Sequence, residues 1–311
     1  MIRIGPAGWS YPDSPGHVYP ADAPKKFDVL AYLAGYFDTI EINASFYAPP
    51  APRTCASWAR RVRANGAFRF AAKLWQRFTH GPAPFGRVAV PDQATFEPWT
   101  RDDVRLVTDG LAVLRDEGVL GAVLAQFPWS FRPSPDTTAR LERIAEDFAG
   151  WPLVVEVRHR AWATRQTSRL LQRLGLGFCN IDQPLIGESL EPSAGATSPV
   201  GYVRLHGRNY AEWFRNAGDP PPDRELGSGR RYDYLYTAAE LEPWAARILE
   251  VAAAADVSDV YVVANNHFEG KGPANALMLR SMLDKRKVSI PPTLFSTYAA
   301  VLEPWGTPGQ Q

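Results

Sequence analysis

The chain has 311 residues, 45% of them hydrophobic, and a formal net charge of +1. That length buries one large core or two ordinary ones without staples, and the charge withholds the basic excess that usually marks a nucleic-acid binder. Two cysteines, Cys55 and Cys179, are too few for a disulfide framework.

The opening MIRIG reads as a strand with no leader before it, and no apolar run reaches membrane-spanning length. The expectation is a cytoplasmic protein with no membrane contact. IRIG at residues 2–5 is the first of eight β-like runs, and a helical pattern at 27–37 follows it. TIEIN at 39–43 leads to a helix at 54–62, and FRFAAK at 68–73 to one at 100–118. That last helix has a Thr cap, acids in its first turn and a Gly stop. AVLAQF at 122–127 precedes a helix of the same grammar at 136–150, and LVVEVR at 153–158 precedes one at 167–175. GFCNID at 177–182 and YVRLH at 202–206 are joined by residues 183–201, rich in Pro, Gly and Ser, so any crossover helix there is degenerate. The helix at 237–255 opens on a Thr-x-x-Glu capping box. VYVVAN at 260–265 is the eighth run, and a helix at 273–283 completes the series.

Strands and helices alternating in this way give parallel strands joined by helical crossovers. Eight units predict a single α/β domain over residues 1–311, a (β/α)8 TIM-like barrel. An open doubly wound sheet would carry G-x-G-x-x-G after its first strand, and GPAGWSYP lacks that spacing. Two enlarged loops, 74–99 after strand three and 207–236 after strand seven, leave the carboxyl ends where barrel sites are built.

Alternate residues of a barrel strand point inward. With the polar face taken as the inner one, strand two offers Glu41 and Asn43, strand three Lys73 and strand four Gln126. Strand five offers Glu156 and Arg158, strand six Asn180 and Asp182, strand seven Arg204 and His206, and strand eight Asn265 or Asn266. Polar groups this dense need mutual pairing or a ligand. Three acids (Glu41, Glu156, Asp182) against three cations (Lys73, Arg158, Arg204) would cancel as a salt-bridge plug. Convergent charges in a pocket more often mark a site.

The expected catalytic set is Glu41, Glu156, Lys73, Asp182 and His206, with Glu41 and Glu156 as general acid and base. Lys73 is read as an ion-pair partner of Glu41, with a Schiff-base amine as the alternative. The expected substrate contacts are Trp9, Asn43, Tyr47, His80, Gln126, Arg158, His159, Arg204, Arg208, Asn265 and Asn266. His159 reads equally well as a residue that orients a neighbour. The cations favour a phosphate or carboxylate group on a small-molecule substrate. No cofactor is required. A divalent metal is the alternative, opposed by the same cations and by the absence of H-E-x-x-H. A nucleic-acid or phosphodiesterase reading rests on GSGRRYDYLY at 227–236, which mixes cations with aromatics, and a non-catalytic ligand-binding barrel is the third reading.

The chain resembles the YecE-like family, also called domain of unknown function 72. The resemblance rests on AGWSYPD at 7–13, EINASFY at 41–47, FAAK at 70–73, AQFPWSF at 125–131, EVRHRAW at 156–162, YVRLHGR at 202–208 and ANNHFEGKGPANA at 264–276. It implies a TIM-barrel-like fold and no established reaction. Phe127 and Trp129 depart from the leucine and proline common in that family, which concerns the local loop shape.

Overall fold

The computed structural model describes residues 1–81, 98–213 and 231–309. The eight expected strands are β1 Ile2–Pro6, β2 Thr39–Ile42, β3 Arg69–Lys73, β4 Leu120–Gln126, β5 Leu153–Glu156, β6 Gly177–Asp182, β7 Val200–Leu205 and β8 Asp259–Ala264. All neighbours pair in parallel, in the order β1-β8-β7-β6-β5-β4-β3-β2. The ring closes between β1 and β2 through a bridge of Ala7 with Glu41, where the Gly8 amide donates to the Glu41 carbonyl at 2.8 Å. The result is a nearly closed (β/α)8 TIM-like barrel.

Helices α1 Val29–Ala34, α2 Ala44–Tyr47, α3 Pro52–Val62, α4 Arg101–Asp116, α5 Pro135–Asp147, α6 Arg165–Arg173, α7 Tyr210–Trp213, α8 Ala238–Ala253 and α9 Lys271–Asp284 lie between and after the strands. The predicted caps form. Thr100 and Asp103 cap α4 reciprocally, and Thr237 and Glu240 do the same for α8. No helix longer than a single short turn joins β6 to β7. The chain there runs extended and leaves a groove of about 730 Å³ against α6, lined by Trp162, Thr164, Phe178 and Leu190 among others. Beyond the barrel, β9 Val288–Ile290 and β10 Gly306–Pro308 form a small parallel pair with α10 Pro292–Thr297 and α11 Ala299–Leu302 between them. The sequence reading did not separate this appendage. Among the described residues, no helix is long and apolar enough to cross a membrane.

Outward-facing Ile40, Ile42, Phe70, Val123, Val155, Val203, Leu205 and Val262 are buried under the helices. Burial of this layer stabilises the fold by about 1.5–3 kcal/mol per side chain. The seam between β1 and β2 is tight. A Cβ built on Gly5 would stand 1.7 Å from the Thr39 carbonyl oxygen. Because the obstacle is backbone, Gly5→Ala is expected to cost about 1–3 kcal/mol or more. It should appear as a lowered urea midpoint with an unchanged slope, and an unshifted midpoint would refute the seam's tightness.

Candidate functional site

Strand register decides which side chains share the barrel interior. Ile181 pairs with Arg204 and Arg204 with Val263, while Gln126 pairs with Glu156. Laterally paired residues point to one face. Glu41, Lys73, Gln126, Glu156 and Arg204 therefore face inward, and at the strand ends Asn43, Arg158, His206 and Asn265 lie above them.

Arg204 is fully buried at the centre. Its Nη2 donates to Glu41 Oε1 at 2.8 Å, and its Nη1 donates to Glu156 Oε2 at 2.5 Å and Gln126 Oε1 at 3.1 Å. Arg158 adds Nε and Nη2 bonds to Glu156 Oε1 at 3.0 and 2.9 Å. Tyr202 donates to Glu41 Oε2 at 2.9 Å. The His206 ring closes the set. Its Nδ1 lies 3.0 Å from Asn265 Nδ2 and its Nε2 lies 3.4 Å from Glu156 Oε1. An amide donor at Nδ1 places the imidazole proton on Nε2, toward the carboxylate. Burial holds His206 down to about 3, against the pull of Glu156. Burial alone would raise Glu156, but Arg204, Arg158 and His206 outweigh it and hold the carboxyl well below its ordinary range. Glu156 therefore keeps its charge and cannot serve as a general acid near neutrality.

Above this floor stand Asn43, Lys73, His80, Gln126 and Arg158, each partly open to solvent. Lys73 differs from the ion pair expected with Glu41. Among the described residues, no carboxylate lies within ion-pair distance of its Nζ, which sits 4.5 Å from the centre of the Phe46 ring. The reason is competition: the oxygens of Glu41 are already engaged by Arg204 and Tyr202. Burial, then Arg204, pulls the Lys73 ammonium down to about 7, against Glu41 and Glu156. His80 packs edge-on to Phe46 at 5.1 Å, and burial with Lys73 and Arg158 nearby lowers it to about 3. Tyr47 stands at the rim, 37% exposed, with its ring edge-on to Phe46.

Several expected site residues lie elsewhere, and β6 gives the main correction. Cys179 and Ile181 line the interior, while Asn180 and Asp182 face the helical layer. Choosing the polar face as the inner one fails there because each polar group has an outer partner. Asn180 pins the extended crossover through Ser193 and Gly195. Asp182 accepts Nε and Nη2 of Arg208 at 2.9 and 2.8 Å, Trp244 Nε1 at 3.1 Å, and a short bond from the Tyr236 hydroxyl. Arg208 is thus held behind the wall as well. Asn266 likewise turns outward and donates to Tyr234 and Asn275. His159 caps the turn at Arg160–Trp162 by accepting the Ala161 amide at 3.1 Å. Trp9 packs edge-on to Trp58 of α3 at 5.4 Å. For Asn180, Asp182 and Asn266, strand alternation carries the residue after an inward one to the other face.

Sequence reasoning missed Tyr202 and Cys179, which alternation back from Arg204 and across from Tyr202 would have found. It also missed Tyr236 and Trp244 as partners of Asp182, for which the sequence carries no signal. Tyr11 and His267 stack at 3.9 Å, and Asn43 donates to the Tyr11 hydroxyl at 2.9 Å, so the β1 and β8 loops meet the end of β2 at the rim.

For a divalent cation the donor set fits poorly, since Glu41 and Glu156 spend their oxygens on cations and a hydroxyl. Among the described residues, no group of three or more His, Cys, Asp or Glu converges on one point. Residues 82–97 and 214–230, which take in most of the two enlarged loops and the first part of the basic–aromatic stretch, lie outside the described residues.

Comparison with known proteins agrees with this architecture. A family model described as "Protein of unknown function DUF72" matches residues 3–296. The UPF0759 protein YunF of Bacillus subtilis (strain 168) is 28% identical over 290 residues, covering 91% of this chain and 95% of its own. The crystal structure of a DUF72 family protein from Thermotoga maritima MSB8 is 29% identical with a TM-score of 0.75, covering 91% of this chain and 99% of that one. One from Enterococcus faecalis V583, at 23% identity and a TM-score of 0.74 over 91% and 96% of the two chains, bears on the fold alone.

Proposed function

The chain belongs to the DUF72 family of proteins of unknown function, and on that premise we propose that its barrel mouth is the active site of an enzyme acting on a small polar, anionic substrate. One observation carries this reading. With Asp182 and Arg208 paired behind the wall, the inward set at the carboxyl ends of the strands has, among the described residues, two carboxylates, Glu41 and Glu156, against three cations, Lys73, Arg158 and Arg204. The cancellation expected of a salt-bridge plug is incomplete, and the unmatched cation is the part-exposed Lys73, which is pulled down to about 7 and so is about half charged near neutrality. A second support is Arg204 Nε, a buried donor that meets no acceptor among the described residues. An orphaned donor of this kind costs about 1–3 kcal/mol until an acceptor reaches it.

In this reading Arg204 binds Glu41 and Glu156 into a buried floor, and Glu156 keeps its charge through the reaction. Arg158 at the mouth meets the anionic group, and Lys73 carries the chemistry. The roles first expected of the two carboxylates pass to the amine, because Glu156 is locked in its charged form.

Inorganic phosphate is the simplest probe. It is expected to raise the melting temperature of the wild-type protein, since a ligand that binds only the folded state stabilises by about 2.7 kcal/mol at one hundred times its Kd. Arg158→Gln removes one charge-assisted contact and should weaken phosphate binding about tenfold to a hundredfold. Wild-type protein indifferent to phosphate and to sugar phosphates alike would sink the reading. A bound sugar phosphate that stays intact over prolonged incubation would favour a non-catalytic receptor instead.

A further inference from the structure

The mouth holds few groups able to exchange a proton at neutral pH. Glu156 is kept charged by Arg204 and Arg158, and His206 and His80 are kept neutral by burial. Glu41 is engaged on both oxygens by Arg204 and Tyr202. Among the described residues, acid–base catalysis by a pair therefore lacks one member. A nucleophilic amine needs no second member, because the bond it forms to substrate supplies its own electron sink. The Lys73 amine is placed for that role. It projects from the end of β3 over the Phe46 ring, among Arg204, Glu41, Glu156, Arg158 and His80, with no carboxylate of the described residues in ion-pair contact.

Resting on the active-site reading above, we propose that Lys73 forms an imine with the carbonyl group of an anionic aldehyde or ketone. The neutral amine adds through Nζ to the carbonyl carbon, and an Nζ proton passes to the oxygen to give a carbinolamine. The C–O bond then breaks. The oxygen leaves as water, taking one further proton from solvent, and the nitrogen lone pair closes a protonated C=N bond. Arg158 is the positioning residue for the anionic end. The Phe46 ring beneath Nζ stabilises the cationic imine by cation–π attraction.

The composition makes the test clean, because the chain has only six lysines: Lys25, Lys26, Lys73, Lys271, Lys285 and Lys287. The intact protein is incubated with glyceraldehyde 3-phosphate and sodium borohydride, which reduces any imine to a stable secondary amine, and the labelled peptides are identified by mass spectrometry. At pH 7 an ordinary lysine is neutral in about one molecule in a few thousand, whereas Lys73 titrates at about 7. The neutral fraction of Lys73 is therefore about a thousandfold that of the other five, and even with the weaker nucleophilicity of a less basic amine Lys73 is expected to label about a hundredfold faster, with a pH midpoint near neutrality and competition by inorganic phosphate. Arg158→Gln should slow labelling by the phosphorylated aldehyde more than labelling by uncharged glyceraldehyde, which loses only the push that Arg158 exerts on the Lys73 ammonium. Labelling spread over the surface lysines with no preference for Lys73 overturns the imine, even where phosphate still stabilises the protein. Preferential labelling of Lys73 that phosphate does not contest, equal for the charged and uncharged aldehydes, keeps the imine and overturns the anionic-substrate reading.

Discussion

Replacing Arg204 with methionine is expected to destabilise the protein by about 3–5 kcal/mol. The guanidinium is fully buried and bridges Glu41 and Glu156, which are fully buried themselves. Methionine fills much of the volume but leaves two carboxylates in a low-dielectric interior, and Gln126 Oε1 without its donor. The loss comes from orphaned charge, so removing that charge should recover part of it. Adding Glu41→Gln to Arg204→Met is expected to be less destabilising than the sum of the two single changes, a coupling read from urea unfolding of all four proteins. Strict additivity would mean that the bridge does not hold the barrel top together.

The same bridge gives the stability a pH dependence of definite sign. Glu156 has a folded-state value held well below its ordinary 4.5. A carboxyl depressed on folding contributes stability that is present above the unfolded value and is lost as pH falls toward the folded one. As pH falls from about 5 to below 4, the wild type should therefore lose more stability than Arg204→Met, in which the main attraction on Glu156 is gone.

Asp182→Ala is the second large effect, also about 3–5 kcal/mol, and it separates two roles for this residue. As a catalytic acid it would be dispensable for folding. Where it sits, its two oxygens take four donors: Nε and Nη2 of Arg208, the Tyr236 hydroxyl and Trp244 Nε1. Tyr236 and Trp244 are fully buried, so their donors cannot turn to water. Arg208 keeps 28% of its side-chain surface exposed and recovers some hydration, which keeps the loss at the modest end. The expected result is a lower melting temperature with phosphate affinity at the mouth retained. Unchanged stability with lost binding would return Asp182 to the pocket.

These cases show where sequence reasoning reached and where it stopped. Strand positions were legible because eight apolar runs alternate with capped helices, and burial of one face enforces that pattern locally. Glu41, Lys73, Glu156, Arg158, Arg204 and His206 could be placed on one interior because each follows an apolar inward or outward partner with a period of two. The rule broke on β6, where both faces carry a reason to be polar or small. There Cys179 and Ile181 face in while Asn180 and Asp182 find partners at 193–195 and on α8. Those partners lie 13 to 62 positions away in the chain, and local pattern holds no record of them.

The order of strands, the crossovers and the count of eight follow from hydrophobic periodicity and capping chemistry, which act between near neighbours and so are written in the chain. Which carboxylate meets which cation is a matter of register around the ring. Only the closed barrel brings Arg204 between Glu41 and Glu156, engages Arg208 with Asp182 outside the wall, and leaves the Lys73 amine without a carboxylate of its own among the described residues. Charges decide their partners by distance in space, and the fold alone sets that distance.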